Sequence, residues 1–432
     1  MRNSPSPVLP SLSDSTYLSE TSGKEDNGAP IDGALIEIED EPPELTQRLT
    51  LTAGTRAVLP SDSLPVSELL ELCLPSFSRV MPSMEPEQCF SNHPPTESVA
   101  IYLSRPVPPV TFIEGLRSAA RQAMLNGRLS IVDWTRKNSS SFFSFELIEF
   151  WTSLTKIIHA RQRWEAALRW VEQAVRDDPL DKDVREIHLI LQTTPWDANL
   201  KILRSRLTFL EMATFLSNHW LSSSHVDMVL SSIATRQLQI NSGPGQEHHR
   251  YLIGNTVLSE HLDLSPLLHN NISPLHTLPL QSYCSQAPQD LQCAGAHLAR
   301  CQPDGEVVFV AYSPPGHWAA VSVTSKGTLE WADSLGRRPP SSLVVGVQNW
   351  LRYNLPTISF SLGDNFQCSR QTDGYSCGIM ALNAIKHRIF GDKLWSEKNR
   401  ARLRIREFLD IMHICREVGG QKVCPHMLVV CA

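Results

Sequence analysis

No Cys-x-x-Cys pair occurs in this 432-residue chain, and its ten cysteines lie singly, without the dense spacing of a disulfide framework or a zinc ribbon. Their scatter fits a reducing compartment. No stretch approaches the roughly 20 consecutive apolar residues that span a bilayer. The first residues, MRNSPSPVLPSLSDSTYLSE, lack the charged and apolar regions of a secretory signal, so an intracellular protein, nuclear or cytoplasmic, is expected. Basic excess is absent as well: the net charge is -6 and the pI about 6.2, so neither nucleic acid nor a membrane is expected as a partner. A monomer is expected. Locally, Lys398, Arg400, Arg402, Arg404 and Arg406 cluster on a predicted helix, where a solvated face is the simpler reading.

Residues 1 to about 98 are rich in Pro, Ser, Asp and Glu, a composition that buries too little apolar area to offset chain entropy, and are expected to be mostly disordered. Within them Leu35, Ile36 and Ile38 precede Glu39, Asp40 and Glu41. Such an apolar run with an acidic flank can add a strand to a partner's sheet edge and resembles a SUMO-interacting motif. Residues 99 to 200 read as helical and carry no evident chemistry. Leu147, Trp151, Leu154, Ile158, Trp164, Leu168, Val171 and Val175 mark one face of a long helix ending before Pro179. Leu200, Leu203, Leu207 and Leu210 continue the helical spacing after Asp197, a candidate N-cap. The adjacent His248 and His249 lie in a predicted loop. Neighbouring residues rarely chelate one ion and no suitably spaced partner accompanies them, so no metal is assigned.

Residues 306 to 333 alternate β-rich runs with Ser-Pro-Pro-Gly and Ser-Lys-Gly, which predicts three antiparallel strands. With the second turn centred between Ser325 and Gly327, His317 falls opposite or close to Asp333. Directly opposed residues have Cβ atoms roughly 5 Å apart, within reach of an imidazole–carboxylate hydrogen bond. Ala319, Val321 and Val323 share the face of His317, as Leu329 and Trp331 share that of Asp333. Paired, the two polar groups satisfy each other and the Asp fixes the ring tautomer. On the hairpin alone, a structural hydrogen bond and a catalytic pair weigh equally.

Farther on, Gln371-Thr-Asp-Gly-Tyr-Ser-Cys377-Gly378 leads into an amphipathic helix marked by Ile379, Leu382, Ile385 and Ile389 and stopped at Gly391. Cys377 thus sits in the first turn, where free N–H groups and the helix dipole favour a thiolate. A buried structural thiol is the commoner fate of a helical Cys; the polar loop before it and the upstream His–Asp pair favour a nucleophile. The Cys377 N–H and the Gln371 amide are candidate oxyanion donors.

Taken together, His317-Trp318, Asp333-Ser334-Leu335-Gly336 and Gln371 through Cys377-Gly378 resemble the ubiquitin-like-protein-specific protease family, which includes the SUMO proteases. Order and spacing match that family's His-Trp, then Asp, then Gln six residues before the Cys. Trp220-Leu221 resembles the Trp-Leu motif near the start of its domain. Serine replaces the acidic residue common shortly after that motif, and Ser376 rather than an acidic residue precedes the Cys.

The resemblance implies an α+β fold with a papain-like cysteine protease core, a mixed central sheet flanked by helices, over residues 201 to 432. It implies catalytic roles for Cys377, His317, Asp333 and Gln371, and a narrow tunnel between Trp220 and Trp318 that admits the Gly-Gly tail of a ubiquitin-like modifier, SUMO first. No cofactor is implied. A non-catalytic modifier-binding module and an acyltransferase using the same Cys are the alternative readings.

Overall fold

The computed structural model describes residues 47–133, 141–177, 181–240, 250–263 and 287–420. The Leu35 to Glu41 segment and His248 and His249 lie outside them. The architecture is mixed helix and sheet, and its centre is a five-stranded sheet. Its strands are β6 (Tyr251–Ile253), β7 (Glu306–Ser313), β8 (His317–Thr324), β9 (Thr328–Ala332) and β10 (Ser361–Leu362), in the order β10-β9-β8-β7-β6. The run β7-β8-β9 is antiparallel, as its turn residues require, while β6 and β10 join the two edges in parallel.

Side-chain alternation divides β7 and β8 between two cores. Val307, Phe309, Ala311, Ala319, Val321, Val323, Leu329 and Trp331 pack in one cluster with residues of helices α5 (Thr256–Leu262), α6 (Gln289–Arg300) and α7 (Ser341–Asn354). Val308, Val310, Trp318, Ala320 and Ala332 join the opposite cluster, with helices α4 (Ser223–Ile240), α8 (Cys377–Phe390) and α9 (Arg400–Gly420). Both faces are covered, which is why β7 and β8 read as nearly continuous apolar runs.

Helix α2 (Glu146–Asp177) follows the expected 3.6-residue pattern. Its first half, with Leu147, Trp151, Leu154 and Ile158, packs with helix α1 (Val110–Leu125) and a small sheet of β1 (Phe90–Ser91), β2 (Ser130–Val132) and β3 (Phe142–Phe143). Its second half, with Ala160, Trp164, Ala167 and Val171, joins the core that holds α8 and α9; helix α3 (Asp181–Thr193) adds Ile187, Ile190 and Leu191. Trp164 is fully buried against Phe209 and Phe408, at ring distances of 4.7 and 6.4 Å. Residues on both sides of position 200 therefore share one core.

Two expectations are corrected. Residues 47 to 98 are not featureless: helices Ala53–Val58 and Val66–Glu71 form, and Val66, Leu69 and Cys89 are fully buried. Their few apolar residues suffice because α2 and the small sheet supply the opposing surface. The run from Leu200 is a hairpin of β4 (Asn199–Ile202) and β5 (Ser205–Thr208), followed by the short helix Phe209–Met212. Leu200 opposes Leu207 across it, and Leu203 occupies the turn at φ 52°. A two-residue turn put inward strand positions at a spacing that mimics helical periodicity.

Candidate active site

Strand β8 begins at His317 and β9 ends one residue before Asp333. The ladder pairs Ala320 with Ala332, so Asp333 continues toward Ala319 and stands diagonal to His317, rather than directly opposite. Diagonal positions on one face lie roughly 7–8 Å apart, a gap that a long side chain closes. The His317 Nε2 is 3.0 Å from Asp333 Oδ1, with side chains only 4% and 1% exposed. The same oxygen accepts the Leu335 N–H at 2.6 Å, so the carboxylate is fixed from two sides.

Nε2 is thus the ring nitrogen that faces the carboxylate, which leaves Nδ1 as the other ring position. Burial opposes charging the ring, yet hydrogen bonds to Asp333 and to Cys377, together with the charges of both, raise His317 to about 9. Burial would likewise raise Asp333, but the bonds from His317 and Leu335 hold it below its ordinary value. Imidazole and carboxylate thus form a bonded pair, and the ring keeps its proton through neutral pH.

Cys377 is the first residue of α8 and is buried. First-turn N–H groups have no acceptor within their own helix, so the Cys377 N–H is not used up by α8. Asp373 shapes the approach to this turn. Its Oδ1 accepts the N–H groups of Tyr375 at 3.0 Å and Ser376 at 2.8 Å, and its Oδ2 accepts the Ser376 hydroxyl at 2.7 Å. Those bonds, with the Arg400 charge, outweigh burial and keep Asp373 below its ordinary pKa. At the far end Gly391 adopts φ 71° and returns its N–H to His387, the left-handed stop expected for that glycine.

Gln371 is anchored at both ends of its amide. Ser334 Oγ donates to its Oε1 at 2.8 Å, and its Nε2 donates to the Asp373 carbonyl at 2.7 Å. The latter bond uses one of the two amide hydrogens. Cys368 is a second thiol near Asp333. Burial first and the Asp333 charge second push it up to about 12, so it stays protonated at neutral pH.

The two tryptophans flank the histidine. Trp318, next in β8, is buried and donates from Nε1 to the Leu221 carbonyl at 2.9 Å. Trp220 is 47% exposed and covers the turn before His317. A Cβ on Gly316 would come within 2.8 Å of the Trp220 ring, and its φ is 58°, so the turn requires glycine twice over.

Arg404 does not lie on a solvated face. It is fully buried, and its guanidinium donates to the carbonyls of Thr214 at 3.2 Å, His219 at 2.7 Å and Tyr375 at 3.5 Å. The expected cluster is split: Lys398 is exposed, while Arg400 and Arg406 lie 3.6 and 3.8 Å from the carboxylates of Asp373 and Asp183. The signal was in the spacing, since Arg404 precedes Phe408 and Ile411 by four and seven residues and shares their apolar stripe. Among the described residues, no three His, Cys, Asp or Glu side chains are gathered to hold a metal ion, and no helix is long and apolar enough to cross a membrane.

Comparison with solved structures returns similar folds. The chain resembles SUMO proteases. One is the C-terminal Ulp1 protease domain in complex with Smt3, the yeast ortholog of SUMO: 17% identity, 55% of this chain and 95% of that one, TM-score 0.37. A de-sumoylating protease matches at 12% identity over 52% of this chain and 93% of its own, TM-score 0.34. The Xanthomonas campestris effector XopD bound to ubiquitin matches at 19% identity over 44% and 91%, TM-score 0.27. No protein-family model and no curated protein matches the sequence.

Proposed function

We propose that the protein is a cysteine peptidase with a papain-like core that hydrolyses the amide or isopeptide bond after the C-terminal Gly-Gly of a ubiquitin-like modifier, SUMO first. The reading rests on one observation above the others: at the head of β8, His317 is buried and hydrogen-bonded through Nε2 to the buried carboxylate of Asp333. Cys377 Sγ, as its anion, attacks the carbonyl carbon of the terminal glycine. Negative charge moves to the oxygen, which the Cys377 N–H and the Gln371 amide stabilise. As the C–N bond breaks, His317 gives its proton to the leaving amine, and a thioester remains. Water then attacks the thioester, His317 takes its proton, and the C–S bond breaks to release the modifier's carboxylate. Asp333 keeps the ring oriented throughout. Trp220 and Trp318 border a path that suits residues without side chains.

Hydrolysis of a SUMO–fluorophore conjugate tests this reading. Wild-type protein turns the conjugate over, and Cys377→Ala abolishes release; retained turnover in the variant rejects the assignment.

A further inference from the structure

We propose that Arg404 is a positioning residue that clamps the loop carrying Trp220 to the loop carrying Cys377, an inference that rests on the peptidase reading for its effect on turnover. Its acceptors are distributed to suit that role. His219 immediately precedes Trp220, and Tyr375 lies two residues before Cys377; both carbonyls are bonded by the same Nη2. Nη1 binds Thr214, at the base of the segment leading to Trp220. The guanidinium carbon also stands 5.5 Å from the Tyr375 ring centroid.

The location is a costly one for a cation. Arg404 is fully buried, and among the described residues no carboxylate lies within ion-pair distance of it. Packing alone would be served by an apolar side chain, since its neighbours on α9 include Ile405, Phe408 and Ile411. What an apolar side chain lacks is a planar fork able to reach three carbonyls from one point. The distance between the tryptophan cover and the nucleophile is thereby set from behind, by a residue that touches neither the reacting atoms nor the substrate. Lysine at 404 retains the charge but presents a single ammonium, which cannot reproduce the fork.

The test uses Arg404→Lys and Arg404→Met in the full chain, with Arg404→Ala added for chemical rescue, and has two independent readouts. Hydrogen exchange needs no substrate: both variants accelerate exchange at least tenfold in residues 214–222 and 371–377, while β7 and β8 stay as protected as in wild type. Unchanged exchange in either loop overturns the clamp, whatever the enzyme does. In turnover of the SUMO–fluorophore conjugate, Arg404→Lys lowers kcat/KM by about 10- to 100-fold, whereas alkylation of Cys377 by iodoacetamide changes less than threefold. Millimolar methylguanidinium restores part of the rate to Arg404→Ala but not to Arg404→Met, whose side chain fills the site. A parallel fall in alkylation and turnover, or no rescue, overturns positioning. If wild type is inactive, the peptidase reading fails while the exchange result still decides the clamp. Should the variants not fold, the Arg404 side-chain nitrogen resonances of wild type decide it: slow guanidinium rotation supports the clamp, and free rotation overturns it.

Discussion

Ser334 and Gln371 are joined twice: the Gln371 N–H donates to the Ser334 carbonyl, and the Ser334 hydroxyl donates to the Gln371 amide oxygen, each at 2.8 Å. The loop that bears Asp333 is thereby stitched to the loop that bears Cys377. Ser334→Ala removes the side-chain bond and leaves the main-chain one. Net loss of one hydrogen bond is worth about 1 kcal/mol, so kcat falls up to about tenfold. Removing the amide, in Gln371→Ala, costs about 100- to 1000-fold if it holds the oxyanion. Steady-state kinetics on the modifier–fluorophore conjugate ranks the two; equal losses would contradict separate roles.

A second prediction concerns pH. His317 is raised from 6.5 to about 9 in the folded protein, so its protonated form adds stability that is fully present below about 6.5 and is lost as pH rises through about 9. Turnover falls over the same alkaline range as the ring loses the proton destined for the leaving amine. Asp333→Asn removes the charge and moves the ring's titration down, toward its ordinary value. NMR titration of the His317 ring protons reads this directly; a midpoint near 6.5 in wild type would contradict the geometry.

The third prediction concerns the glycine after Cys377. A Cβ at Gly378 would stand 3.3 Å from both Leu221 Cβ and Trp318 Cδ1. Gly378→Ala therefore displaces the tryptophan and raises KM more than it lowers kcat. Gly378→Val overpacks the same contact and costs about 1–3 kcal/mol of stability in urea unfolding.

Much of the geometry around His317, Asp333 and Cys377 is legible in the sequence because it depends on local patterns. Ser-Lys-Gly sets the β8–β9 turn to within one step of register, so His317 and Asp333 could be brought together from spacing alone; the diagonal offset could not, because the strand ends before Asp333. Gly391 ended α8 as expected, since only a left-handed residue suits that stop. The burial of Arg404 is hidden in the sequence because five basic residues in nine positions look like a solvated face until the apolar stripe through Phe408 is traced. The β4–β5 hairpin is hidden for the converse reason, being a strand pair with helical spacing. Which face of the central sheet carries α8 depends on tertiary packing, and no short window encodes it.

The fourth prediction concerns the support under the helix that begins at Cys377. Lys386 on α8 is buried between Glu407 at 2.8 Å and Asp410 at 3.2 Å on α9. Lys386→Met strands the Glu407 carboxylate, whose pKa burial already raises, and costs about 3–5 kcal/mol. Lys386→Met with Glu407→Leu recovers most of that loss. Chemical denaturation of the single and double variants checks the pairing; additive losses would contradict it.

The most direct test of the account is covalent capture. The protein is mixed with SUMO, ubiquitin and other modifiers bearing a C-terminal glycine vinyl sulfone, and the adducts are mapped by mass spectrometry. The account predicts one modifier-sized adduct, formed fastest with SUMO, on Cys377 alone and lost in His317→Ala. No adduct with any modifier, or an adduct on another cysteine that survives loss of His317, would contradict it.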